Sequence, residues 1–534
     1  MRLINTATLE LEDFTLCEIP QYAILSHTWG QDEVTFQDMI GKDLPRYFKQ
    51  RYVKITMTCR LAAQRGLQYA WIDTCCIDKT SSAELTEAIN SMFDYYANST
   101  VCFAHLADLS PGSIDLRHCR WFTRGWTLQE LLAPGTLEFY DQTWTYVGPK
   151  SAFVQAIAEA TSIVPAAITD PWGTHSYSVA TKMSWASRRE TTRKEDVSYC
   201  LLGIFNVHMP LIYGEGERAF ERLVAEIVKR ENDLTILAWR PWKDNDWNLK
   251  DGSEMKLLPQ APLGFYRSKR IAPLTNDFPE LSITNRGLLV STDIPVRVLA
   301  FRRSLLDQFI GIQLGCIVGE PKTPIYLPLR KLGPGLFGRH PDIPLISSEQ
   351  SSISNILWQE NTLNYHIITH SLPRSLKTFQ SFRDHAIHVP HQAEAELVSA
   401  VPDRLWDPED RMFLRPTAIK DTYFPAVLAT HFQTKRGDSV FVLCDNSTGV
   451  PSAGIVSDAS ANAVMRLLFR GKHREHSLIW ADFEALGIEV KFGTSSGLRK
   501  DEAGHTLALE QGKLRDGFPP VQISLHGRTL ERVR

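Results

Sequence analysis

The feature that most constrains this chain is a regular alternation of short apolar runs and helical periodicity across residues 1–160. YAILS (22–26) is a short apolar strand that ends in a polar turn, HTWG (27–30). RYVKITMTCRLAAQR (51–65) predicts a helix, with Gly66 as its left-handed stop. YAWID (69–73) predicts a second buried strand, and AELTEAINSMFDYYA (83–97) a second helix. Ser81 and Glu84 have capping-box spacing at its start, and Leu85, Ile89, Met92, Phe93 and Tyr96 fall on one face. TVCFAHL (100–106) predicts a third strand, RGWTLQELLA (124–133) a helix that stops before Pro134, and TLEFYD (136–141) a fourth strand. This β-α-β-α-β-α-β order implies an α/β fold: a parallel sheet with right-handed crossovers and helices on both faces. Sites in such sheets form at the carboxyl ends of the strands. Here those ends are Ser26–Gly30, Asp73–Asp78 and His105–Asp108.

Residues 150–235 read as mostly helical, with EGERAFERLVAEIVKR (215–230) a strong amphipathic helix. The charge run ASRRETTRKEDVS (186–198) reads as a solvated face, and the polar stretch 241–253 as a linker. Beyond it, LSITNRGLLVS, TPIYLPL, DSVFVLC and GIEVKFG are β-type runs between turn residues, which suggests a β-rich second domain such as a sandwich. Residues 333–352 read as a long loop inside it, and there is no internal repeat. The 534 residues are 43% hydrophobic and 22% charged, which excludes collagen-like and wholly disordered classes. A net charge of −3 gives no bulk attraction to nucleic acid or an anionic membrane. The nine cysteines are irregularly spaced with no CxxC pair, the pattern of a reduced cytosolic set. The N-terminus lacks the apolar core of a signal peptide, and the longest apolar candidate, FIGIQLGCIVG (309–319), is too short to span a bilayer and contains Gln313. The expectation is a cytoplasmic protein with no membrane-spanning segment and no nucleic-acid partner.

Four blocks resemble the HET domain of fungal heterokaryon-incompatibility proteins: YAILSHTWG (22–30), AWIDTCCIDK (70–79), INSMFDYYANSTVCFAHL (89–106) and RWFTRGWTLQELLAP (120–134). They stand in that family's order and spacing. The resemblance continues through 183–223, a stretch of the kind that often follows HET domains, and covers about the first 240 residues. It implies a HET domain over 1–175, a helical extension over 176–240 and a β-rich region over 254–534. It also implies a role in non-self recognition that ends in regulated cell death. A more distant resemblance is to TIR domains, flavodoxin-like α/β modules of which some cleave NAD. Their Trp-Cys-x-x-Glu-Leu pattern is matched by Trp126–Leu131, with Thr127 in place of Cys. The resemblance makes Glu130 the counterpart of their catalytic glutamate and NAD a candidate substrate, with no resident cofactor required.

Breaking the nicotinamide–ribose bond builds positive charge on the ribose, which a carboxylate can stabilise. Glu130 supplies the carboxylate. Trp29 offers an aromatic shelf, Ser26 and His27 at the end of the first strand could donate to phosphate or ribose, Gly30 closes the turn that follows, and Arg124 could pair a pyrophosphate. Asp73 and Trp126 complete the candidate nucleotide-binding set. Plain structural readings stand beside these. Glu130 fits the solvated face of an amphipathic helix, Trp126 core packing on Glu130's face, Trp29 a turn brace, His27 a turn or cap, and Asp73 a turn cap.

Three other patterns carry less. Cys102, His105, His118 and Cys119 resemble a metal set, but Cys102 and His105 point to opposite faces of a strand. Cys75 and Cys76 read as small buried residues. Gly214–Ala219 matches G-x-G-x-x-A as a string, yet two glutamates would face the pyrophosphate, so it reads as a helix-start loop. Two functions remain open: a death effector whose HET domain binds or cleaves a nucleotide such as NAD, and a non-catalytic module for self-association, with an unknown recognition partner.

Overall fold

Seven strands form one mixed sheet in the N-terminal part of the chain. The computed structural model describes residues 1–15, 17–30, 32–41, 52–170, 172–240 and 257–268, then strand segments and short connections between 271 and 526. The strands are β1 (Arg2–Asn5), β2 (Leu11–Asp13), β3 (Tyr22–His27), β4 (Tyr69–Trp71), β5 (Val101–His105), β6 (Leu137–Tyr140) and β7 (Tyr146–Pro149). Their order is β2-β1-β4-β3-β5-β6-β7. The four central strands are parallel as the alternation requires. The edges are antiparallel: the β1–β2 hairpin adds beside β4, and β7 folds back on β6. The sheet is therefore mixed rather than all-parallel. Residues 2–13 supply the extra hairpin.

Helices between the strands follow the predicted order. Helix α1 (Phe36–Ile40) follows β3, and α2 (Val53–Gln64) ends where Gly66 takes φ +75°. The helix expected over 83–97 is two, α3 (Ser82–Asn90) and α4 (Met92–Ala97), meeting at Ser91. Only half of the capping box forms. Ser81 accepts from the Glu84 N–H, while the Glu84 carboxylate accepts from the Asp78 N–H (2.8 Å) and pairs with Arg2. Helix α5 (Thr127–Leu132) follows β5 and two short turns of tighter helix. Then come α6 (Val154–Thr161), α7 (Pro165–Thr169), α8 (Val179–Ala186), α9 (Asp196–Tyr199) and α10 (Arg218–Arg230).

The 241–253 linker lies outside the described residues, as does the GIEVKFG run. The other three β-type runs contribute strands, and the described C-terminal strands fall into three sheets. The expected loop at 333–352 contains two of them, Leu336–Arg339 and Ile346–Ser347, both paired with Thr323–Gly333. Its glycines and prolines hid the pairing. The hydrophobic cluster beneath the seven-stranded sheet extends through α8 and α10 to Leu257, Phe265, Ile271, Leu288, Leu314 and Leu327. Residues 234–240 lie in that continuity. Trp239 Nε1 donates to the Leu257 carbonyl (2.8 Å), Arg240 N to the Gly264 carbonyl (2.8 Å), and the Arg339 guanidinium to the carbonyls of Leu237 and Trp239.

Candidate functional site

Strand β3 pairs with β4 on one side and β5 on the other, so the chain reverses its winding direction there. Such a switch point opens a crevice at the carboxyl ends of the strands. Ser26 and His27 end β3, and His27 stands in register with His105 at the end of β5. Helix α5 brings Glu130 to the same place. Ser26 Oγ donates to Glu130 Oε2 at 2.5 Å, and Trp121 Nε1 donates to Ser26 Oγ at 2.7 Å. Tyr96 donates its hydroxyl proton to the Leu25 carbonyl at 3.0 Å and is hydrogen-bonded to Glu130.

This arrangement favours a protonated Glu130. Trp121 and Ser26 spend their protons running toward the carboxyl group, and Tyr96 spends its proton on Leu25. A proton on Glu130 that donates to the Tyr96 oxygen completes one directed series, leaving no donor or acceptor idle. Only 8% of Glu130 is exposed. Burial, offset by the Ser26 hydroxyl and reinforced by the Asp73 charge, pushes its carboxyl up to about 8. The solvated-face reading is thus overturned. Every residue of α5 is buried, so this helix has no solvent face. Lys150 closes the far end of α5, donating to the Leu131 (3.1 Å) and Pro134 (3.0 Å) carbonyls, where burial draws its ammonium down to about 8.

The other candidates divide. His27 Nε2 lies 3.5 Å from Glu33 Oε2 and its Nδ1 3.9 Å from Asp73 Oδ1, ion-pair rather than hydrogen-bond distances. Burial works against a charge on Glu33, but the His27 ring, the Gly30 N–H (2.6 Å) and the Lys54 ammonium (2.5 Å) together hold its carboxyl well below the usual range. Gly30 therefore serves Glu33. Trp29 is half exposed, donates Nε1 to Asp73 Oδ2 (2.8 Å) and carries the Lys79 ammonium 3.6 Å above its ring. The cation–π contact and the Asp73 bond hold it beyond the carboxyl end of β3. His105 stacks on Trp144 (4.2 Å between ring centres, 9° apart), and burial takes its imidazole down to about 4, so it is neutral near pH 7.

Two candidates lie elsewhere. The Arg124 guanidinium reaches Thr192 Oγ1 (3.1 Å) rather than Glu130. Trp126 packs against the core and bonds Asp196. The site residues that the sequence did not single out are Tyr96 and Arg189, which act on Glu130, and Trp121, which holds Ser26. Trp121 sits inside the 120–134 motif block, but nothing in a one-dimensional pattern distinguishes it from Trp126. Arg189 lies in the charge run read as solvated, as does the buried Glu195. The Glu195 carboxylate accepts from the N–H groups of Gly214 (2.8 Å) and Gly216 (3.0 Å), whose φ angles are +104° and +61°. Its own backbone N–H, with those of Gly216 and Gly214, holds Glu195 below its ordinary pKa, and the anion nest formed by the G-x-G string is filled by the protein's own side chain. Among the described residues no His, Cys, Asp and Glu group could hold a metal ion, and Cys75 and Cys76 are buried free thiols.

Comparison with known proteins agrees with the motif blocks. The family model described as Heterokaryon incompatibility protein (HET) matches residues 22–116, from β3 to the turn after β5, and stops short of α5. The chain is 43% identical over 239 residues to Vegetative incompatibility protein HET-E-1 of Podospora anserina. That alignment covers 42% of this chain and 17% of that protein, so the chain spans a small part of its relative. No solved structure matches. The chain therefore carries a heterokaryon-incompatibility (HET) domain.

Proposed function

We propose that the chain is a cytoplasmic effector of heterokaryon incompatibility whose HET domain acts on a nucleotide such as NAD through Glu130 and so leads to regulated cell death. The family match and the HET-E-1 relative support the incompatibility role. One observation supports the chemical reading above others: the Glu130 carboxyl group lies at the switch point of the sheet, 2.5 Å from Ser26 Oγ at the end of β3. In this reading Glu130 stabilises the cation that develops as the nicotinamide–ribose bond breaks, with Trp29 beyond the end of β3 as a ring shelf. Ionised Glu130 is the acting form, and a positively charged nicotinamide ring beside it favours loss of its proton. NAD turnover by purified full-length chain tests this. Glu130→Gln keeps the hydrogen bonds to Ser26 and Tyr96 and should lower turnover ~100-fold or more, the scale for losing one preorganised electrostatic group. Equal turnover in both forms would sink the proposal.

The second reading is a non-catalytic self-association module with the TIR-like fold used for assembly. Its support is the closed hydrogen-bond series around a buried, neutral Glu130, which is what a structural carboxyl group looks like. Undiminished toxicity of Glu130→Gln, with cellular NAD unchanged in both forms, would favour it.

A further inference from the structure

We propose that Arg189, from the segment after α8, is a positioning residue of the Glu130 site: it clamps the start of α5 and presents the cation that Glu130 faces. The proposal rests on the reading of Glu130 as the acting group. Arg189 Nη1 donates to the Arg124 carbonyl (2.8 Å) and to Thr127 Oγ1 (3.0 Å), and Nε to the Trp185 carbonyl (3.2 Å). One guanidinium thus joins the last turn of α8 to the first turn of α5. Thr127 in turn donates to the Trp121 carbonyl (2.5 Å), which anchors the residue whose indole holds Ser26. The planar fork of arginine suits a task that needs several fixed donors at once.

The backbone makes the same connection independently. Glu190 N donates to the Thr123 carbonyl (2.7 Å), and Gly125 N to the Glu190 carbonyl (2.9 Å), a two-way bridge between the segment after α8 and the approach to α5. Gly125 allows it: a Cβ there would lie 2.5 Å from Thr191 Cγ2 and 3.1 Å from Cys200 Sγ. Arg189 is therefore held against α5 by contacts that do not involve its own charge. Its remaining nitrogen, Nη2, is buried without a hydrogen-bond partner. A buried donor of that kind is costly unless an anion is near it.

The groups around Glu130 show why this cation matters. Ser26 faces it from β3, Asp73 from beyond the end of β4, Tyr96 from α4 and Cys102 from β5, while Trp121, from the turn before α5, holds Ser26. Asp73 opposes ionisation, burial and then the Glu130 charge push Cys102 and Tyr96 upward, and Arg189 is the cation that favours the Glu130 carboxylate. Arg189 lies beyond the matched residues 22–116, so the extension after α8 completes the site.

The test follows the ionisation of Glu130, not turnover. Infrared difference spectra between each protein and its Glu130→Gln partner isolate the protonated-carboxyl stretch across a pH series, in the full chain. Arg189→Gln should move the midpoint upward by roughly half a pH unit, because a positive charge that favours the ionised carboxyl is lost. Arg189→Lys, which keeps charge but not the fork, should restore at least half of that shift. An unchanged midpoint in Arg189→Gln overturns the proposal. If Arg189→Gln fails to fold, Arg189→Met decides: it keeps a long side chain without the charge, a raised Glu130 midpoint there supports the proposal and an unchanged one overturns it. Because the readout needs no NAD, a failed NADase assay leaves this test intact.

Discussion

Replacing Glu130 with glutamine should change how stability responds to pH. The folded carboxyl ionises near 8, against an ordinary value of 4.5. Below about pH 4.5 folded and unfolded chains both hold the proton, and the carboxyl costs nothing. Between that value and about 8 the unfolded chain ionises while the folded chain does not, so stability is lost as pH rises at about 1.4 kcal/mol per pH unit. Above about 8 the loss levels off. Glutamine has no proton to lose, and its amide can accept from Ser26 and donate to Tyr96 as the protonated acid does. The Gln variant should therefore gain on the parent by roughly 2–3 kcal/mol between pH 5.5 and 7.5, with all other titrating groups cancelling in the difference. Urea unfolding of both full-length proteins at several pH values, followed by tryptophan fluorescence, reads this directly. Parallel stability curves for the two proteins would refute a buried, protonated Glu130, and with it the donor series from Trp121 to Leu25.

Other perturbations probe neighbouring claims. Ser26→Ala removes the acceptor of the buried Trp121 indole and the donor to Glu130, and should cost about 1–3 kcal/mol in the same unfolding assay; a change under a few tenths would mean that water replaces the hydroxyl. If ionised Glu130 cleaves NAD, kcat/KM should rise with pH toward a midpoint near 8, and a flat profile from pH 6 to 9 would remove Glu130 from the rate equation. Glu195→Ala empties the glycine nest and should lower stability by about 1–3 kcal/mol, and an unchanged unfolding midpoint would make the nest incidental. Brief proteolysis should cut first within 241–253, yet the two pieces should co-elute on gel filtration because Arg339, Leu257 and Phe265 grip the chain ahead of the cut; separation of the pieces would contradict the shared packing.

Much of the framework was legible because it is periodic. Strand β3 is an unbroken apolar run, Gly66 ends α2 in the left-handed region, and the alternation of elements forces parallel neighbours at the sheet's centre. The order of motifs also brought Ser26 and Glu130 to one end of the sheet. The electrostatic character of the site was not legible. LQELL looks amphipathic, yet α5 is covered on all sides, so its glutamate and glutamine are buried with its leucines. Arg189 and Glu195 sit in a run of charges whose average character is solvated, and only tertiary contacts single them out. The antiparallel edges escaped because pairing partners are set by register between distant segments, as for β1 against β4.

The strap at 234–240 bears on how such proteins can be recombined. Its carbonyls and its indole are bonded by residues that follow the linker in sequence, while Leu234, Ile236 and Leu237 are buried in the joint cluster. A chimera that exchanges everything after 240 for an unrelated region would leave these residues bare, and an apolar patch with open backbone groups is an invitation to aggregate. Functional swaps between relatives should therefore place the junction after Arg339, not before Leu257, so that the strap travels with the strands that hold it.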